Sequence, residues 1–288
     1  MAKKKILVTG GAGFIGSNLI EQLVKGRANE IYSLDNYSTG SKDNHVAGAN
    51  YIKGDTQDIA RLVNIKPDLV FHLGEYARVE KSFDDMPTVW HSNKDGTFAV
   101  LEFCRDNGAK IVYAGSSTKF GDGGLGRDQS PYAWTKASNT ELVKNYGAWF
   151  NLKHAITYFY NVYGHREIST GGFATVIGIF KEKSKAGKPL PVVTPGTQTR
   201  IFTHVDDIVR GLILVGEKGM GDGYGLGAEE EYSILDIAKL FGSEIEMLPP
   251  RAGNRMTSTI DLSRSRYELG WRAEKSIKKY VEESVAKL

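Results

Sequence analysis

The sequence holds a single cysteine, Cys104, in 288 residues. One thiol cannot close an internal disulfide, so nothing in the chain argues for export. Within "VLEFCRDNG" it reads as a core or interface side chain rather than a nucleophile. Long apolar runs are missing as well. No stretch approaches the roughly 18 residues of a membrane-spanning helix. The basic start "MAKKKILVTGG" offers only "ILV" before glycines interrupt it, too little for a signal-peptide core. The expected location is the cytoplasm. Charge of one sign is not in excess: 37 Lys and Arg face 34 Asp and Glu, a formal net charge of +3. Outside "KKK" at the start and "KEKSKAGK" at 181–188, which reads as a solvated helix end, the basic residues are scattered. A nucleic-acid-binding face is therefore not expected. There is no visible internal repeat, and 41% hydrophobic with 25% charged residues is ordinary for a soluble globular protein and suggests neither a disordered chain nor a fibre. The length allows one large α/β domain or a main domain with a smaller cap.

What is present is an alternation. Short β-rich runs, "KILVTG", "EIYSLDN", "NYIKGD", "DLVFHLG" and "KIVYAGSS", are separated by longer amphipathic stretches. Strands separated by helices predict a parallel sheet with crossovers. Helices are expected at about 14–26, 56–64, 87–107 and 131–151, and a further strand at 154–160. The glycine-rich stretches at 121–126 and 219–227 read as turns or loops. After "YNVYGH" the alternation fades. We expect a first domain over 1–164, with 201–225 returning to it, and a second, smaller region over 165–288.

The run "ILVTGGAGFIGSNLIEQLV" gives a strand, a glycine-rich turn and a helix, with Gly10, Gly13 and Gly16 spaced G-x-x-G-x-x-G. Such glycines permit a tight turn and let the backbone approach a pyrophosphate, which the helix N-terminus then receives. Phe14 and Ile15 open that helix and join the candidate contacts. Asp35 in "SLDN" lies 19 positions beyond Gly16, and Asn36 and Ser38 follow it. A carboxylate at this strand end can accept from both adenosine ribose hydroxyls and would repel a 2′-phosphate. NAD is expected rather than NADP.

A second motif is "SPYAWTK", in which Tyr132 and Lys136 stand four apart after a proline. On a helix they share a face. By itself the pair is either chance or a device in which the lysine acidifies the phenol.

In order along the chain, "TGGAGFIGS", "LDNYSTG", "GDTQD", "FHLG", "GSST", "SPYAWTK", "YFYNVYG", "TRIFTHVDD" and "RAGN…DLSRSRYELGW" resemble the signatures of the extended short-chain dehydrogenases/reductases. The sequence is most similar to the nucleotide-sugar epimerase/dehydratase branch, and within it to UDP-hexose 4-epimerases. The resemblance implies a Rossmann doubly wound parallel sheet with a smaller C-terminal substrate-binding α/β domain, NAD as cofactor and a UDP-sugar substrate. It also implies a homodimer through the helices at 87–107 and 131–151. Carried over position by position, it makes Ser116, Tyr132 and Lys136 catalytic, with the lysine bridging tyrosine and nicotinamide ribose. Asp55 and Thr56 fall beside the adenine, and Leu73, Gly74 and Glu75 along the nicotinamide half. Asn161, Arg200 and Arg251 fall where the family holds the diphosphate, which suits the paired donors of guanidinium groups. Ser258 matches the position that gates the sugar's C2 substituent, and its small side chain leaves room for an N-acetyl group.

A phenol near pKa 10 must lose about 3 units, about 4 kcal/mol, to act as a base at neutral pH. One cation ~4 Å away at an effective dielectric of ~20 supplies about 4 kcal/mol. On that arithmetic a single lysine is enough. Several positions depart from the family pattern. Gly74 and Glu75 replace paired alanines, which sets a carboxylate near the cofactor's phosphates or nicotinamide ribose. Lys119 stands in "KFG" where "VYG" is usual, Tyr158 stands where an arginine is common, and Asn254 replaces the aspartate of "R-x-G-D". Ser116 and Tyr132 are only 16 positions apart. Ser117 and Thr118 occupy the positions where 4,6-dehydratases carry Asp and Glu. The expected activity is 4-epimerisation through a 4-keto sugar. The alternatives are 4-keto reduction, 4,6-dehydration, decarboxylation or a non-catalytic dinucleotide sensor.

Overall fold

The protein is seen in a computed structural model that describes residues 3–26, 29–120, 122–250, 256–257, 259 and 261–287. Seven strands, β1 (Lys4–Thr9), β2 (Asn29–Asp35), β3 (Ala49–Lys53), β4 (Leu69–His72), β5 (Lys110–Ser116), β6 (His154–Phe159) and β7 (Gly221–Leu226), form one sheet. Their order is β7-β6-β5-β4-β1-β2-β3, with every pairing parallel. The apolar runs are continuous because both faces are covered. In β1, Ile6 and Val8 pack with Leu19, Ile20, Ile208 and Leu212 on one face. Leu7 between them packs with Val70, Leu101, Ile111 and Val143 on the other. The main covering helices are α1 (Phe14–Lys25), α2 (Gly96–Asn107), α3 (Pro131–Phe150) and α4 (Val205–Lys218). A third core of Tyr163, Ile177, Phe180, Leu190, Phe202, Ile237, Phe241 and Val281 lies apart from the sheet, among later elements.

This is the doubly wound α/β architecture. Strand order reverses between β1 and β4, where Thr9 lies opposite His72. A crevice at the carboxyl ends of such strands is where ligands bind in open α/β sheets.

Several elements differ from the sequence expectation. The helix expected at 56–64 is a 3₁₀ turn, Thr56–Asp58, followed by a single α-turn, Ile59–Leu62. The helix at 87–107 begins at Met86 and is interrupted by a π-helical stretch, Trp90–Asp95. The strand expected at 154–160 ends at Phe159. Asp122–Asp128 winds as a 3₁₀ helix where a loop was expected. The largest correction concerns 219–227, which supplies the edge strand β7. Its glycines serve close approach rather than a loop: a Cβ on Gly225 would sit 2.2 Å from the Asp261 carbonyl oxygen. The register shift between Gly221 and Tyr224 uses glycines at φ +77° and +104°. Tyr224 and Leu226 are fully buried there.

Candidate active site

The glycine turn is shaped by contacts between backbones. Gly10 has φ +72° and donates its N–H to the Leu34 carbonyl at 2.8 Å. A Cβ on Gly16 would lie 2.1 Å from the Gly10 carbonyl oxygen, and one on Gly10 would lie 2.9 Å from the Gly74 Cα. α1 starts at Gly13 with no side chain capping its first turn, so its first N–H groups are available to an anion. Asp35, at the end of β2, accepts from the N–H groups of Ala12 at 2.9 Å and Tyr37 at 2.8 Å. A carboxylate has about four acceptor positions, which leaves capacity for ribose hydroxyls. Asn36 donates to Asp55 at 2.6 Å and accepts from the Ser38 N–H at 2.9 Å, joining three expected residues in one rim. Thr56 is buried, its hydroxyl close against Gly96.

These residues line one cleft of about 830 Å³ together with Phe14, Ile15, Leu73, Gly74, Ser116, Tyr132, Lys136, Asn161 and Arg200. Elements from β1 to Arg200 thus converge on a single space. A backbone cradle that a Cβ would fill, an uncapped helix start and a buried carboxylate at a strand end fit a dinucleotide.

At the other end of the cleft, Ser116 closes β5 and its Oγ lies 2.9 Å from the Thr118 hydroxyl. α3 begins because the Ser130 side chain accepts from the Ala133 N–H at 3.1 Å and Pro131 follows in the first turn. That start sets Tyr132 in the first turn and Lys136 one turn on. Lys136 is not a lone cation. Its ammonium donates to a Glu75 carboxylate oxygen and to the Ala114 carbonyl. The second Glu75 oxygen accepts from the hydroxyls of Thr97 at 3.0 Å and Tyr113 at 3.1 Å, and from the Asn139 amide at 3.1 Å.

The Glu75 side chain is 3% exposed and that of Lys136 is 7% exposed. Burial is the largest single influence and works to raise the Glu75 carboxyl, but the Lys136 charge and the hydrogen bonds from Lys136 and Thr97 together outweigh it, and the carboxyl sits below the usual value. Glu75 lines the cleft beside Leu73 and Gly74, and both of its oxygens accept from protein donors. Nearby, His72 is fully buried between the hydroxyls of Thr9 at 2.7 Å and Thr97 at 3.0 Å. Burial pulls its pKa down to about 4, so it is neutral at pH 7.

Sequence reasoning missed Thr97 and Asn139. The available signal was two polar residues on faces of α2 and α3 that turn out to be buried. It also treated Lys119 and Tyr158 as separate departures. The Lys119 ammonium donates to the Tyr158 hydroxyl at 2.6 Å, and that hydroxyl donates to Asp222 at 2.5 Å. The two are in direct contact, with the Lys119 ammonium also lying 4.4 Å from the Tyr158 ring centroid. Asn161 adopts φ +23° and donates to the Ile201 carbonyl at 3.0 Å. Arg200 donates to the Thr199 carbonyl at 2.7 Å. Arg251, Asn254 and Ser258 lie outside the described residues. Cys104 is fully buried in the core, and burial pushes its thiol well above the usual range.

The NAD dependent epimerase/dehydratase family profile matches residues 6–227. A UDP-glucose 4-epimerase from Mycolicibacterium smegmatis is 30% identical over 98% of this chain and 97% of its own. A UDP-N-acetyl-alpha-D-glucosaminuronate decarboxylase from Bacillus cytotoxicus is 32% identical over 82% of this chain and 79% of its own. Among solved structures, the Thermus thermophilus UDP-glucose 4-epimerase in complex with NAD superposes with a TM-score of 0.87 at 29% identity, covering 98% of both chains. With its glycine cradle, parallel sheet and Tyr132–Lys136 helix, the chain belongs to the NAD-dependent epimerase/dehydratase family of extended short-chain dehydrogenases/reductases.

Proposed function

We propose that the protein is a nucleotide-sugar 4-epimerase with a UDP-sugar as substrate. The observation that carries this is the shared cleft: the dinucleotide cradle and Ser116, Tyr132 and Lys136 line one space. NAD, when bound, supplies a reversible hydride acceptor for the sugar's C4. Tyr132 takes the proton from the O4 hydroxyl and later returns it. Ser116 hydrogen-bonds the same oxygen, and Lys136 orients the phenol. Asn161, Arg200 and Arg251 hold the diphosphate, so that a 4-keto sugar can turn over while its nucleotide stays anchored.

Decarboxylation has a relative in its favour at 32% identity. Ser117 and Thr118 argue against it and against 4,6-dehydration, because neither hydroxyl serves as a carboxyl acid or base at neutral pH. A binding-only sensor has no use for the tyrosine and lysine that this chain keeps. The small Ser258 side chain supports acceptance of N-acetylhexosamines. Trp90, Phe98, Trp134, Trp149 and Phe150 are exposed on the helical segments 86–107 and 131–150, and the rings of Trp90 and Trp134 stack at 6.0 Å. We read that aromatic face as the contact between two copies of the chain. Among the described residues no helix is long and apolar enough to cross a membrane.

The test is incubation of the purified protein with UDP-hexoses, UDP-N-acetylhexosamines and UDP-hexuronic acids, resolving products by chromatography and mass. C4 epimers are expected. A 4-keto-6-deoxy or decarboxylated product would overturn the assignment.

A further inference from the structure

The ammonium of Lys136 has three donors. Glu75 and the Ala114 carbonyl take two of them. One N–H remains on an ammonium that lies 4.7 Å from the Tyr113 ring centroid, and Lys136 lines the cleft. Glu75 is itself held from three directions, by Tyr113 on β5, Thr97 on α2 and Asn139 on α3. Asn139 also donates to the Asn93 carbonyl at 2.7 Å, within the π-helical stretch. Such stretches often mark functional positions in a helix. A carboxylate so fixed cannot swing away from the lysine without abandoning several donors at once.

We propose that Glu75 is a positioning residue for the proton-transfer pair, anchoring Lys136 so that its remaining N–H points to the cleft and offsetting its charge so that Tyr132 keeps its proton to higher pH. The proposal rests on the assignment of Tyr132 and Lys136 as that pair. A lone lysine would act on the phenol with a full positive charge. A lysine in contact with a carboxylate acts as a dipole, whose field falls off faster. The other titratable groups facing the pair are His72 from β4, Tyr113 from β5 and Lys94 from the π-helical stretch. His72 is neutral at pH 7, and burial keeps Tyr113 protonated well above neutrality. Lys94 is held by Ser138 at 3.0 Å and Asn139 at 2.8 Å and is retained in every variant below.

The experiment reads the phenol directly and needs no substrate. NAD-loaded protein is titrated by near-ultraviolet phenolate absorbance, and the curve of the matching Tyr132→Phe protein is subtracted to isolate that one group. Glu75→Gln should move the Tyr132 titration down by about one pH unit, roughly tenfold in proton affinity. Lys136→Met should move it up. The double variant Glu75→Gln/Lys136→Met, which leaves no buried charge unpaired and so folds where a single variant fails, should titrate close to wild type. A Glu75→Gln curve that overlays wild type or moves up would overturn the proposal. So would a double variant that titrates with Lys136→Met, since the lysine's charge would then have been acting unopposed. Turnover by the Tyr132→Phe protein itself addresses the underlying assignment: wild-type turnover there would sink the assignment whatever the titrations show.

Discussion

The two ends of the cleft are built from different materials. At the cofactor end the geometry belongs to the backbone: Gly10 and Gly16 touch atoms of other glycines, and the start of α1 presents its own N–H groups. Asp35 is pinned there by two neighbouring N–H groups within the same local unit. At the end proposed for proton transfer the geometry belongs to side chains from β4, β5, α2 and α3, brought together over separations of up to 64 positions. A backbone site depends on the few positions where no Cβ fits, as at Gly10 and Gly16, and little on side chains elsewhere. A side-chain site depends on every member, since an unpartnered group in it is costly.

The expected effects of substitution sharpen this contrast, and the largest comes from the proton-transfer end. Tyr132→Phe should lower turnover by about 10² to 10⁴, the range for a positioned acid/base, while NAD binding and the melting temperature stay near wild type. Steady-state rates beside NAD titration and a thermal melt decide it. Equal loss of turnover and of NAD affinity would mean that the two ends are not separable.

At the cofactor end, Gly16→Ala should act through shape alone. Its Cβ would meet a backbone oxygen at 2.1 Å, which no rotamer can relieve. Overpacking of this kind costs about 3 kcal/mol, and the variant should be recovered without bound NAD. A normal melt with NAD retained would show that the turn has slack that the close contacts conceal.

How much could be read from the sequence follows the same division. The G-x-x-G-x-x-G turn, Asp35 and the Tyr132–Lys136 spacing are local patterns whose chemistry is tied to neighbours in sequence. The Glu75 network is not. Glu75 comes just past β4, and Thr97 and Asn139 lie far along the chain, so only the packing of α2 against α3 tells that they meet. The 219–227 stretch failed for a related reason. Glycine signals a loop when only local freedom is weighed, but in β7 it answers to Asp261, a residue 36 positions beyond Gly225 (261 − 225).

The proton-transfer end should also respond to pH in folding stability. His72 has a folded pKa of about 4 against an ordinary 6.5, so the folded state binds fewer protons than the unfolded one between those values. Its contribution is present above pH 6.5 and is lost as pH falls through 4. Urea unfolding should show about 2 kcal/mol lost between pH 7 and pH 5 on this account. The lowered Glu75 carboxyl adds loss in the same direction at still lower pH. His72→Gln should be less stable at pH 7 yet flatter between the two values. An unchanged slope would move the titrating group elsewhere.

The smallest expected effect tests whether the Asp35 carboxylate at the cofactor end behaves like the networked side chains. Both Asp35 oxygens already accept a backbone N–H, so a ribose would share acceptors rather than meet an unsatisfied group. Losing a charged acceptor under those conditions costs about 1.5 kcal/mol, roughly tenfold in Kd. Asp35→Ala should therefore weaken NAD about tenfold and NADP less, because the repulsion of a 2′-phosphate goes with the carboxylate. Calorimetric titration of both dinucleotides into wild type and variant gives the comparison. If NAD weakens by a thousandfold or more, Asp35 organises the turn from Ala12 to Tyr37 and belongs with Glu75 among the residues that hold a site together. If NADP remains as weak relative to NAD as in the wild type, discrimination lies in the shape of the Asn36–Ser38 rim and not in the charge of Asp35.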